Sequence, residues 1–208
     1  MLNFRALLFM TAFSLTMSLV PFAGAVEPDA AAALVTELKN GAMILYGPEI
    51  SEQARHLELC DLMQKHVNTQ YIGNFATGRI IRQMSPEVRA GLYSGVKSKL
   101  VRFFDGAFSR LKDGTVKVNP VSKPAGPARI VYVEVTKLNQ SPTSIQFYMA
   151  PDSNNSLLMQ DAQMSGFSLG QIFKDEFTNV LSAVTSDDPD AKGQALIANL
   201  ATKSPGCP

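Results

Sequence analysis

The 208-residue sequence has no tryptophan, two histidines, two cysteines and almost no net charge. With so few histidines, a nucleophile and its imidazole base are hard to assemble, and we predict no catalytic residues. The 19 basic and 18 acidic residues leave a charge of +1, whereas nucleic-acid binders usually carry a basic excess. The sequence therefore predicts no nucleic-acid partner and no membrane contact through a polybasic patch.

Long apolar runs are confined to the amino terminus. Arg5 precedes the almost wholly apolar segment Ala6–Val20, and Ala23-Gly24-Ala25 is a small-x-small cleavage site. The segment is short for a membrane span, so it predicts a cleaved signal peptide over residues 1–25 rather than a retained anchor. Residues 26–208 are then expected to form one domain in an exported compartment, which in a bacterium is the periplasm.

Cys60 and Cys207 are the two cysteines. In an oxidising compartment an even pair favours a disulfide, which here would tie the carboxyl-terminal tail to an amino-terminal helix. The alternative is one buried thiol and one thiol in a frayed tail. The residues alone leave both possibilities open.

Apolar periodicity predicts helices before and after a central group of strands. The clearest helix begins at the N-cap Ser85, with Pro86 at its first position and Glu87 in its first turn. An apolar stripe then runs to Leu111. The other predicted helices cover about residues 30–46, 51–66, one or two short segments of 67–83, 168–184, and a segment after the motif DDPD.

The period changes to two after Asp113-Gly114, which predicts strands. Four are expected, at about residues 115–121, 128–138, 144–151 and 156–166, with SKPAGP as a loop. Val131, Val133 and Val135 share one face of the second strand, so this face needs an apolar cover. Short connections favour an antiparallel sheet of about four strands with several helices on one face, an α+β fold.

Two weak motifs suggest a metal site and a catalytic serine. His56 and Cys60 stand four residues apart on a helix, but no second ligand cluster accompanies them, so we predict no metal site and place both His56 and His66 on solvated helix faces. Ser168 lies in Gly166–Gly170, a GxSxG string. Because no histidine follows it in the chain, we interpret Ser168 as an N-cap and keep a hydrolase only as a remote alternative.

Two segments resemble the MlaC family of periplasmic phospholipid-binding proteins, also called toluene-tolerance auxiliary proteins. The first, DLMQKHVNTQYIGNFATGRIIRQMSPEVRAGLYSGVKSKLVRFF, matches the family pattern at Ile72, Phe75, Gly78, Arg79, Arg82, Ser85-Pro86-Glu87 and Arg89. The second, QDAQMSGFSLGQIFKDEFTNVLS, matches it at Asp161, Gly166, Ser168, Leu169, Phe173 and Phe177. The family's tryptophans are replaced by Ile80 or Ile81 and by Ser156-Leu157, which leaves the cargo open.

The resemblance implies an NTF2-like, half-open arrangement over residues 26–208 and a carrier without enzymatic activity or cofactor. It implies a phospholipid as bound cargo, shuttled between an outer-membrane lipoprotein complex and an inner-membrane ABC transporter with its substrate-receiving subunit. A hopanoid or another isoprenoid is the alternative cargo.

A carrier needs a dry cavity, because each buried methylene is worth about 0.8 kcal/mol. Six methionines after residue 25 suit adaptable walls, although an ordinary packed core is the alternative. The predicted pocket walls are Phe75, Leu92, Val96, Leu100, Phe104, Val131, Val133, Ile145, Phe147, Met149 and Phe177.

Overall fold

The structure is a computed structural model that describes residues 28–137, 139–202 and 206–207. The predicted signal peptide, residues 1–25, lies outside these ranges. In the described part of the chain, no helix combines the length and the apolar character that a membrane span needs. The α-helices are α1 (Pro28–Ile44), α2 (Glu52–His66), α3 (Thr69–Thr77), α4 (Pro86–Leu111), α5 (Leu169–Ala183) and α6 (Pro189–Ala201), with a 3₁₀ helix over Gly78–Gln83 between α3 and α4.

One antiparallel sheet of six strands forms the centre of the fold. Its strands are β1 (Thr115–Val118), β2 (Lys123–Ala125), β3 (Ala128–Thr136), β4 (Thr143–Pro151), β5 (Leu157–Met164) and β6 (Phe167–Ser168). The order is β1-β3-β4-β5-β6, and β2 also pairs with β3. The α+β class and the antiparallel sheet are thus confirmed.

The sheet contains the four predicted strands and two additional short strands, β2 and β6. The interpretation of SKPAGP as a loop is wrong for Lys123–Ala125, which pairs with β3. Gly126 has a φ of +62°, so the chain turns back at once and Ala125 lies opposite Ala128. Pro124 is tolerated because β2 is short and lies at an edge.

The valine face of β3 is buried, as its alternation predicts. Val131, Val133 and Val135 are buried, whereas Glu134 between them is exposed. Phe147 lies opposite Val131 and Ile145 lies opposite Val133, so β4 continues the same apolar face. Helices α1 and α4 lie on this side of the sheet, as the cavity described below shows.

Helix α4 has the predicted start and stripe. The Ser85 hydroxyl accepts a hydrogen bond from the backbone N–H of Val88, and Pro86 occupies the first turn. The residues buried along one side recur every four positions: Val88, Leu92, Val96, Leu100, Phe104 and Phe108. Helix α4 contacts α2, α3 and α6, and its amino-terminal half approaches α6 where Val88 lies beside Gly193 and Gly95 lies beside Leu200.

The prediction of a solvated His66 is wrong. Its side chain is 1% exposed, and neither ring nitrogen has a hydrogen-bond partner among the described residues. Helix α2 contacts α1, α4 and β5, so it is covered on more than one side. Burial lowers the pKa of His66 below its ordinary value. His56, by contrast, is half-buried.

Cys60 and Cys207 form a disulfide, with 5.7 Å between their Cα atoms. The tail is held further by the backbone N–H of Cys207, which donates to Ser98 Oγ of α4 at 3.1 Å. Of the two possibilities that the sequence left open, the structure therefore shows the bridge. It joins α2 to a residue 147 positions later in the chain.

We expect the disulfide to contribute strongly to stability, because closing so long a loop restricts the unfolded chain. Cys60→Ser should lower the free energy of unfolding by about 2–4 kcal/mol. Denaturant unfolding, followed by far-ultraviolet circular dichroism, measures this change. Wild-type protein treated with dithiothreitol serves as the control and should shift equally. Identical midpoints for oxidised and reduced wild-type protein would contradict the stabilising role.

Candidate functional site

An apolar groove lies between the carboxyl-terminal half of α4 and the hairpin of β3 and β4. Its volume is about 250 Å³. Its apolar walls come from α4, β3, β4 and the end of β5, and they consist of Phe103, Ala107, Leu111, Val135, Ile145 and Met164. Phe103 and Met164 are 41% and 49% exposed, so large apolar side chains stand at the mouth.

A smaller cavity of about 40 Å³ lies deeper, between α1, α4 and the valine face of the sheet. Leu111, Val135 and Ile145 line both spaces, so the groove and the cavity adjoin. The remaining lining residues of the cavity are Val35, Leu38, Lys39, Phe108, Val116, Val118, Val133 and Phe147. Lys39 is the one charged residue among them.

Strand register explains why these walls are apolar. Val116 lies opposite Val135, and Val133 lies opposite Ile145, so side chains of one face meet across three strands. Because alternate residues of a strand point to the same face, β1 contributes both Val116 and Val118. The result is a continuous aliphatic floor beneath α1 and α4.

A hydrogen-bond network holds one wall of the cavity in place. The Tyr46 hydroxyl donates to Asp105 Oδ1 at 2.7 Å, and Arg55 Nε donates to the same oxygen at 3.0 Å. The Tyr46 ring lies 6.5 Å from the ring of Phe108, which lines the cavity. Burial first, and the Asp105 carboxylate second, raise the pKa of Tyr46 well above its ordinary value. Its hydroxyl therefore stays protonated and remains a donor.

A polar depression of about 360 Å³ lies at the other face of the sheet. It is lined mainly by polar residues and prolines: Lys117, Asn119, Pro120, Tyr132, Val133, Glu134, Pro142 and Ser144. Although it is larger, Lys117, Asn119 and Glu134 make its lining more polar than that of the groove. The groove and its adjoining cavity are therefore the better candidate site.

The predicted wall residues fall into three groups. Val133, Ile145 and Phe147 line the inner cavity. Those buried in the core without lining the groove or the cavity are Leu92, Val96, Leu100, Phe104, Val131, Met149 and Phe177. Phe75 is 42% exposed and lines a separate space of about 50 Å³ beside Asp161 and Gly170. The predicted set thus stays a prediction, with three members at the candidate site.

Sequence reasoning did not include most of the other lining residues. From α1 come Val35 and Leu38, from β1 come Val116 and Val118, and Phe103 and Met164 stand at the mouth. The signals for α1 and β1 were present, as an apolar helical stripe and a period of two. Periodicity alone does not indicate that α1 packs over β1 and β3.

Ser168 is an N-cap, as predicted. Its hydroxyl accepts a hydrogen bond from the backbone N–H of Gln171 at 3.1 Å and donates to Asp161 Oδ2 at 2.6 Å. The other oxygen of Asp161 accepts from the backbone N–H of Gly170 at 3.0 Å. The hydroxyl therefore acts both as an acceptor and as a donor at the start of α5. A catalytic serine needs a base, usually an imidazole, to activate its oxygen.

His56, Cys60 and Cys207 each place one potential metal ligand within 4.8 Å of the others. The two sulfurs are joined in the disulfide, and a disulfide has no thiolate to donate to a metal. His56 Nε2 lies 3.2 Å from the carbonyl oxygen of Gly206 instead. The prediction of no metal site remains a prediction.

A family model described as "MlaC protein" matches residues 30–201. Seven chains of solved structures also match. One of them is described as the phospholipid-binding protein from Ralstonia solanacearum in complex with a phospholipid. It is 22% identical, covers 82% of this chain and 98% of its own, and has a TM-score of 0.64, so it shares the fold. No curated protein matches the sequence significantly.

Asp105→Asn should loosen the wall that carries Phe108. Removing the carboxylate charge weakens the bonds from Tyr46 and Arg55, and because Asp105 is 40% exposed we expect a loss of only about 1 kcal/mol in the free energy of unfolding. Urea denaturation measures the loss. Asp113→Asn, the same change in an exposed turn after α4, is the control and should be nearly neutral. Equal stabilities of the two variants would refute the structural role of the network.

Proposed function

The chain belongs to the MlaC family, and on that premise we propose that it is a periplasmic phospholipid-transfer protein without enzymatic activity. Acyl chains would occupy the groove beside α4 and the cavity beneath it. The similar fold of the phospholipid-bound protein from Ralstonia solanacearum supports this proposal. So does the environment of Ser168, whose hydroxyl caps α5 and donates to the Asp161 carboxylate rather than to an imidazole.

The observation that carries the proposal is an apolar groove that adjoins a smaller apolar cavity. A lipid leaves a bilayer for a carrier only if the carrier hides its tails equally well from water, at about 0.8 kcal/mol for each methylene. Aliphatic and aromatic side chains make up nearly all of the inner lining. The groove gives this interior a mouth through which a tail enters and leaves.

The size of the cavity has a mechanical consequence. Sites for ligands of drug size usually hold about 300–1,000 Å³, and the inner cavity holds about 40 Å³. A tail that advances beyond the groove must therefore displace side chains between α1, α4 and the sheet. Met164 at the mouth is unbranched and adapts readily to a guest. We infer that loading proceeds from the groove inward and widens the cavity.

Placement and partners follow from the family and remain part of the proposal. Residues 1–25 would direct export, and the folded carrier would exchange lipid with an outer-membrane lipoprotein complex and with the substrate-receiving subunit of an inner-membrane ABC transporter. Such a carrier would keep the tails out of the water between the two membranes, where their exposure is unfavourable.

Ile145→Trp tests the location of the cargo. Ile145 lines both the groove and the cavity, so the larger side chain should fill space that a tail needs. Native mass spectrometry of protein gently extracted from a bacterial periplasm should show bound phospholipid in the wild type and at least a fivefold lower loaded fraction in the variant. Ile130→Trp, on the opposite face of the neighbouring strand β3, makes the same change as a control and should load normally.

Several outcomes oppose the proposal. A wild-type mass without lipid would reject the carrier function. Equal loading of the two tryptophan variants would place the lipid elsewhere on the molecule. Lipid identification after organic extraction separates phospholipid from a hopanoid or another isoprenoid, and an isoprenoid as the main cargo would overturn the assignment of phospholipid.

A further inference from the structure

The mouth of the groove has an uneven charge. Among its eleven lining residues two are cationic and none is acidic. The two cations are Arg110 and Lys137, and the uncharged polar residues beside them are Gln140, Ser141 and Thr143. A groove whose lining combines apolar side chains with cationic, hydroxyl and amide groups fits a ligand that has both an apolar and an anionic part.

The two cations belong to opposite sides of the groove. Arg110 lies in the last turn of α4, and Lys137 follows the end of β3. Arg110 Nε donates to the carbonyl oxygen of Gly106 at 2.8 Å, which orients the guanidinium along the helix. A guanidinium has five N–H donors, so the four on its two Nη atoms are additional to this bond.

Two other basic residues near the core, Lys99 and Arg55, have acidic partners. Lys99 pairs with Glu176 between α4 and α5, and Arg55 pairs with Asp105. A cation in the last turn of a helix also offsets the helix dipole, which explains Arg110 in part. That argument does not extend to Lys137, which lies outside any helix. Both side chains line the same apolar groove, and no carboxylate from the described part of the chain lines it with them.

We propose that Arg110 and Lys137 bind the phosphate of a phospholipid headgroup and make the protein prefer anionic phospholipids. This inference rests on the proposed function, since it assumes that tails occupy the groove. Arginine presents paired donors to phosphate oxygens, and lysine adds a point charge. A zwitterionic headgroup carries an ammonium that partly cancels this attraction, and diacylglycerol has no phosphate at all. The expected order is therefore phosphatidylglycerol, phosphatidylcholine, diacylglycerol.

A competition experiment tests this order. The protein is incubated with vesicles that contain equal parts of the three lipids with identical tails, separated from them, and its bound lipids are quantified by mass spectrometry. Because Arg110 is exposed to solvent and Lys137 is only half-buried, we expect a preference of about fivefold for phosphatidylglycerol over diacylglycerol. Arg110→Gln with Lys137→Gln should reduce it to below twofold, because the variant retains less phosphatidylglycerol relative to diacylglycerol. Raising the salt from 50 to 500 mM should weaken the wild-type preference.

A matched variant controls for net charge. Arg79→Gln with Lys117→Gln removes two positive charges away from the groove and should keep the wild-type preference. A wild-type protein that loads all three lipids equally overturns the headgroup site but leaves the proposed function standing. The same holds if both double variants lose the preference equally, which would indicate attraction to the vesicle surface. A wild-type protein that acquires no lipid contradicts both.

Discussion

The structure depends on how the apolar face of β3 and β4 is covered. A face that carries Val131, Val133, Val135 and Phe147 cannot remain in water, because each such side chain gains about 1.5–3 kcal/mol on burial. Helices α1 and α4 cover it, but they do not close over it completely, and the groove and the inner cavity lie where the cover is incomplete. The candidate site is thus a consequence of the same burial that holds the fold together.

The two halves of α4 have different surroundings, and this difference links packing to function. The amino-terminal half approaches α6 closely: a Cβ added at Gly193 would lie 2.3 Å from Val88 Cγ1, and one at Gly95 would lie 2.9 Å from Leu200 Cδ1. Such close packing tolerates little rearrangement. The carboxyl-terminal half instead lines the groove. A rigid base beside adaptable walls is what a carrier needs, since the fold must persist while the walls separate.

Local patterns predicted the elements well. The cap at Ser85 and the four-residue spacing from Val88 onward identified α4, and alternation identified the buried face of β3. They failed where tertiary contacts decide. His66 is buried because α2 is covered by α1 as well as α4. The predicted wall residues coincide with the candidate site only in part, and the reason is the same. One apolar stripe supplies core residues such as Leu92 at one end and cavity residues such as Phe108 at the other, and only the packing of other helices distinguishes them.

The central claim is that acyl chains lie between α4 and the β3–β4 hairpin. A phospholipid with a photoreactive diazirine near the end of one tail tests it directly, since irradiation links the tail to whatever residues surround it. The account predicts linked peptides from the segments that line the site, residues 35–39, 103–118 and 133–147, and from the peptide that contains Met164. Linkage mainly to the exposed surfaces of α2 or α5, or no linkage above that of a water-soluble diazirine, would contradict it.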